Sequence, residues 1–232
     1  MGDLFVVGDI YGYKEKFDQL IKQWNPNREK LIFVGNFIGN GPNSLGVIKE
    51  VFNLSNKHGA VILGGAQEDL FLKWLSNPNI HPIIYYNKGG REIISSFLDK
   101  EATSKFTPES IAQNIIFDFY QEINFLHNLP DHFEESTHII VPAGLRLNMK
   151  NWKMTTSEHF KWGHESFQYG ENKTGKTILF GHIPTKQLHR KETFDIWISP
   201  CKSKIGLNGS ANLGGVCHAV RISQGAYKFL TA

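Results

Sequence analysis

Asp9 and His182 are the residues of this chain best placed to do chemistry. Each follows a glycine, in Gly8-Asp9-Ile10-Tyr11-Gly12 and in Phe180-Gly181-His182. A carboxylate and an imidazole are side chains able to exchange protons and to bind cations. Both also have a structural use: an aspartate after a strand-ending glycine can accept turn N–H groups, and a histidine can hydrogen-bond in a core. Tyr11, Asn36, Asn40, Gln67 and Asn208 offer only neutral hydrogen-bonding groups beside them. Arg146 is a lone loop arginine, able to hold a phosphate oxygen or simply to be solvated. His159, His164 and Glu165 lie close together but without an anchoring motif, and they read as solvated helix or loop residues. The Gly8 to Gly12 turn has neither GxGxxG nor Walker spacing, which argues against a nucleotide loop.

The elements that must carry these residues follow from the apolar pattern. Leu4 to Val7, Leu31 to Val34 and Ala60 to Leu63 are short apolar runs, each closed by glycine. Between and after them, residues Lys14 to Trp24, the stretch with Leu45, Val47, Ile48, Val51 and Leu54, and the stretch with Leu70, Phe71, Trp74 and Leu75 have helical spacing. That is a βαβαβα unit, which builds a parallel sheet covered by helices. Ligands bind at the carboxyl ends of such strands, where glycine permits close backbone approach. Further strands are expected over His138 to Val141, Lys176 to Phe180, Asp195 to Ile198, Lys204 to Leu207, Val216 to Ile222 and Ala226 to Leu230.

Composition narrows the class. The 232 residues fit one domain, and 41% hydrophobic content with 17 Phe and 5 Trp supplies a large core, which argues against disorder. A formal charge of +3 without a run of like charges marks neither a nucleic-acid nor a membrane binder. Cys201 and Cys217 lack metal-site spacing and read as reduced thiols. The chain runs straight into a strand without a signal-like segment or a membrane span, so a cytoplasmic location is expected.

Five segments taken together carry a resemblance: Gly8-Asp9-Ile10-Tyr11-Gly12, Gly35-Asn36-Phe37-Ile38-Gly39-Asn40-Gly41, Gly65-Ala66-Gln67-Glu68, Val141-Pro142-Ala143-Gly144-Leu145 and Gly181-His182. In order and spacing they resemble GDIHG, GDxxDRG, GNHE, VHAGL and GH of the phosphoprotein phosphatases. These are calcineurin-like metallophosphoesterases, and the likeness is greatest to the bacterial and bacteriophage lambda phosphatase branch. Tyr86-Asn87-Lys88-Gly89-Gly90, Phe125 to Pro130, Trp162 with Phe167, and Phe180 to Thr185 are similar to further family segments. The resemblance implies an α/β fold, a four-layer α/β/β/α sandwich with two mixed β-sheets. It implies one domain over 1–232 with a helical cap around 87–128.

The family hydrolyses phosphomonoesters with two divalent metals about 4 Å apart. Carried over position by position, the resemblance keeps Asp9 and His182 as metal ligands. It puts Tyr11, Asn36, Ala66 and Pro142 where the other ligands would be. The general-acid position holds Gln67, its orienting position Gly39, and the phosphate-binding arginines become Asn40 and Gly64. Arg146 remains as a substrate-binding candidate. A phenol, an amide, an alanine and a proline cannot hold two cations, and a glutamine is no general acid near neutral pH. The expectation is a pseudophosphatase with a neutral pocket lined by Tyr11, Asn36, Asn40, Gln67, His182 and Asn208. It would bind an unidentified protein or small molecule, with no cofactor or one weakly held divalent metal ion (Mn, Zn or Fe). The alternative is a weakly active phosphatase with altered metal use.

Overall fold

The computed structural model describes residues 2–80, 85–98 and 106–232. Strands β1 (Asp3–Val7), β2 (Glu29–Phe33) and β3 (Val61–Ile62) run parallel, joined by helices α1 (Lys14–Ile21) and α2 (Ser44–His58). Helix α2 begins where the Asn43 side chain accepts the Gly46 N–H at 2.8 Å and ends at Gly59, whose left-handed φ of 64° suits glycine. Helix α3 (Ala66–Ser76) follows β3. Helices α4 (Arg91–Phe97), α5 (Pro108–Asp118) and α6 (Tyr120–His127) then pack on α2 and α3, and an irregular helical turn, Tyr86–Gly90, precedes α4. They fall within the stretch expected to form a helical cap; its residues 99–105 lie outside the described ones.

The second half contributes β4 (Phe133–Glu134), β5 (His138–Val141), α7 (Ser157–Trp162), α8 (Glu165–Tyr169), β6 (Thr177–Pro184), α9 (Thr185–His189), β7 (Trp197–Ile198), β8 (Lys204–Asn208), β9 (His218–Ser223) and β10 (Ala226–Thr231). The chain closes two mixed sheets, ordered β10-β9-β1-β2-β3 and β4-β5-β6-β8-β7. β1 shows how they stack. Its alternate residues point to opposite faces, so Phe5 and Val7 join the helices while Leu4 and Val6 meet Ile140, Leu179, Ile205 and Leu207 of the other sheet. A third core, with Ile139, Val141, Phe160, Phe167 and Phe180, lies on the far face of the second sheet. Three apolar seams make four layers, the α/β/β/α sandwich expected.

Several boundaries differ from the sequence pattern, and β4 is not among the expected strands. α1 stops at Ile21 rather than Trp24, because Gln23 and Trp24 bond back to Leu20 and Ile21 in tighter turns and the Trp24 indole N–H donates to the Glu29 carbonyl at 3.0 Å. β6 runs on through His182 to Pro184 by way of an irregularity in its pairing with β8. β4 is too short to show a period. No helix among the described residues is long and apolar enough to cross a membrane.

Candidate functional site

The carboxyl ends of β1, β2, β6 and β8 meet at one edge, bringing Asp9, Asn36, His182 and Asn208 together from positions up to 199 residues apart. Asp9 is buried. Its Oδ1 accepts the Asn36 side-chain N–H at 2.8 Å and the His182 backbone N–H at 2.9 Å. Burial pushes its carboxyl up to about 6, against the pull of those donors and of the Tyr11 hydroxyl. The close approach of β6 depends on Gly181: a Cβ there would stand 2.2 Å from Asp9 Oδ2 and 2.8 Å from Val34. Gly181→Ala is therefore expected to cost about 2–4 kcal/mol, read as a fall in the urea midpoint, since the obstructing atoms belong to a packed seam.

Asn36 has its amide orientation fixed by the backbone. Its Oδ1 accepts the Gln67 N–H at 2.9 Å, a donor that cannot change role, so its NH₂ must face Asp9. Tyr11 is buried beside them, and its hydroxyl accepts from Asn208 at 3.1 Å while Asn208 also donates to the His182 carbonyl at 2.7 Å. Burial first, then the nearby Asp9 carboxylate, holds the Tyr11 phenol well above its usual range. Tyr11, Asn36 and Asn208 thus form a closed hydrogen-bonded cluster and do not line an open pocket. This corrects the sequence expectation. Asn36 is satisfied by Asp9 and the Gln67 N–H, and Asn208 by Tyr11, the His182 carbonyl and the Ser210 N–H.

At the rim, the His182 imidazole lies edge-on to Trp162 with ring centroids 6.0 Å apart, and the Lys88 ammonium sits 5.4 Å from the Trp162 ring. Burial, then Lys88, lowers the His182 pKa and so favours the neutral ring. Trp162 is oriented by its indole N–H, 2.8 Å from Asp69 Oδ2. Asn40 donates to the Asn212 carbonyl at 3.0 Å, while its own Oδ1 and the Gln67 Oε1 are buried without a partner among the described residues. Gly64 packs closely on Leu129, where a Cβ would stand 3.2 Å from the Leu129 Cβ, and the nearby Lys161 turns to Asp131 at 3.5 Å. Arg146 lies on the loop after β5, where its N–H donates to Thr155 Oγ1 at 3.0 Å; it makes no hydrogen bond to Asp9, Asn36 or His182. Ala66 opens α3 and Pro142 ends β5, where its carbonyl accepts the Gly181 N–H. Gly39 is buried against Tyr11. His159 and His164 stack edge-on, and His164 caps α8 by accepting the Ser166 N–H at 3.1 Å, with Glu165 in its first turn. These three stay apart from the Asp9 cluster. A cavity of about 650 Å³ runs along α3, bordered by Leu70, Trp74, Tyr85, Leu126 and Leu129 and reaching Gly64 and Glu68; Asp9 does not line it.

Two features had little or no sequence signal. Glu68 is buried and its carboxylate accepts three backbone N–H groups, from Asn36 and Gly65 at 2.8 Å each and from Ile38 at 3.1 Å. Burial pushes its pKa up to about 7 against those three donors. The G-x-x-E spacing of Gly65 and Glu68 could have pointed to the Gly65 bond, because a glutamate three residues into a helix reaches back to the residue before it. Nothing local could have pointed to the other two. The second feature is backbone conformation. Tyr11, Asn36 and His182 all have left-handed φ, at 53°, 50° and 63°. Non-glycine residues there cost roughly 1–2 kcal/mol each and gather at functional sites.

Neither a protein-family model nor a curated protein matches the sequence. Solved structures do. The chain aligns over 100% of its length with 94% of a candidate diadenosine tetraphosphatase, at 17% identity and a TM-score of 0.66. The fold is that of the metallophosphoesterases. A metallophosphoesterase from Sphaerobacter thermophilus matches over 99% of this chain and 88% of its own, at 10% identity and TM-score 0.56. A protein serine/threonine phosphatase from Saccharomyces cerevisiae matches over 99% and 79%, at 10% identity and TM-score 0.59. These identities speak for the fold alone.

The metallophosphoesterase fold raises the question of a metal pair, and the donor set answers it. Among the described residues, no three His, Cys, Asp or Glu side chains are grouped to hold an ion. Asp9 Oδ1 is occupied by two N–H donors, the Asn36 oxygen is turned to Gln67, and Ala66 and Pro142 bring no ligand atom. The residues present do not fit a two-metal centre.

Proposed function

We propose that this chain is a pseudophosphatase, a metallophosphoesterase fold that binds a protein or small molecule and does not hydrolyse phosphate esters. One observation carries the reading. The Asn36 NH₂, locked by the Gln67 N–H, donates to Asp9 at 2.8 Å, so a hydrogen-bond donor occupies the space beside the carboxylate at the metal position. The match of Asn36, Ala66, Pro142, Gln67 and Asn40 to family ligand, acid and phosphate positions supports the same conclusion. Deprived of cations and of a general acid, the site lacks both the nucleophile-generating and the leaving-group chemistry of a two-metal hydrolase.

The test is hydrolysis of p-nitrophenyl phosphate and of phosphopeptides by the purified chain in millimolar Mn²⁺. No turnover above buffer is expected. Turnover that disappears in both Asp9→Ala and His182→Ala would overturn the reading. Addition of Mn²⁺ is likewise expected to leave the melting temperature unchanged, because an ion that does not bind the native state cannot stabilise it.

A further inference from the structure

Beyond the Asp9 cluster, β6 leads from His182 into α9, and the end of that helix bears a run of cations. Lys186, Arg190 and Lys191 border a hollow of about 410 Å³ together with Pro184, Glu192 and Leu213. The single carboxylate there, Glu192, pairs with Lys186 at 3.0 Å, which leaves Arg190 and Lys191 exposed and without a carboxylate partner among the described residues. Arg190 holds a left-handed φ of 55°, a helix-ending position where glycine is the residue free of strain. Leu213, from the short turn Ala211–Leu213, is 65% exposed on the same hollow. That turn is tied to the candidate site, since the Asn212 carbonyl accepts from Asn40 at 3.0 Å.

We propose that this hollow is a docking surface for an acidic peptide segment of a partner protein, with carboxylates on Arg190 and Lys191 and an apolar side chain on Leu213. Charge complementarity selects the sign of the partner, and the exposed leucine selects its kind. A nucleic acid would need a longer strip of phosphate contacts and has no use for an isolated leucine. The proposal extends the binding role given above by naming the class of partner. Turnover with Mn²⁺ would overturn that role and leave the peptide result untouched, so the two failures can be told apart.

The experiment uses the full chain and a fluorescein-labelled decapeptide of alternating Glu-Glu-Leu units, followed by fluorescence anisotropy. The expected result is saturable binding that weakens as salt rises from about 50 to about 200 mM. Lys191→Glu should weaken binding by about fivefold or more, and Leu213→Ser by about tenfold. Arg190→Gly, which relieves the left-handed backbone and so preserves folding, should also weaken it. The proposal is overturned by lack of binding at millimolar peptide, by affinities unchanged in Lys191→Glu and Arg190→Gly, or by tighter binding of a single-stranded oligonucleotide of equal charge.

Discussion

Asp9→Asn is expected to make the protein more stable at pH 8, by up to about 3 kcal/mol. The carboxyl is buried and its pKa rises from 3.8 to about 6 in the folded chain. Roughly two pKa units correspond to about 3 kcal/mol of preference for the protonated form. The sign follows from linkage. A carboxyl with a raised native pKa is ionised more readily in the unfolded chain, so its cost is absent below about pH 4, grows between about 4 and 6, and is complete above 6. The advantage of Asp9→Asn should therefore be largest at pH 8 and shrink toward zero at pH 4. Urea midpoints of both proteins across that range measure it. Taking the difference removes the opposing contribution of half-buried His182 and buried His218, whose lowered pKa values destabilise the fold on acidification. Asparagine can keep accepting from Asn36 and His182 through its oxygen. A loss of stability at pH 8 would show that the carboxylate has a partner stronger than these donors, a bound cation above all.

Glu68→Ala should have the largest effect in the opposite direction. Removal of the carboxylate strands three buried backbone N–H groups, on Asn36, Ile38 and Gly65. At about 1–3 kcal/mol each, the three sum to roughly 3–9 kcal/mol, reduced above about pH 7, where ionising the buried carboxyl carries its own cost. Glu68→Gln should fall between: its oxygen can serve Asn36 and Gly65 together, while its NH₂ meets the Ile38 N–H. Denaturant unfolding measures both variants, and a loss under about 1 kcal/mol in Glu68→Ala would refute the account.

The fold was legible because its signals are local. Leu4 to Val7 is apolar throughout, as a strand buried on both faces must be, and glycines after each early strand mark the edge where Asp9 and Asn36 emerge. The positions of Asp9, Asn36 and His182 could likewise be read from turn residues. What each side chain does could not. Whether Asn36 presents an oxygen or a nitrogen to Asp9 is decided by the Gln67 N–H, 31 residues away. Lys88 reaches His182 only through the packing of Trp162, which comes from α7. The pocket expected from six residues is closed at Tyr11, Asn36 and Asn208, which are buried and hydrogen-bonded. Glu68 was visible as a motif letter, and its role as a three-way acceptor needed the third dimension.

Asp9 belongs to one sheet's edge, and the N–H that grips it, on His182, belongs to the other. That bond works as a rivet across the sandwich. With Gly181 removing any clearance between the plates, neither sheet can slide over the other without tearing a buried carboxylate from its donors. The body of the molecule is thus a stiff chassis. Adjustment to a ligand is then left to segments outside the two sheets, such as the basic run after α9.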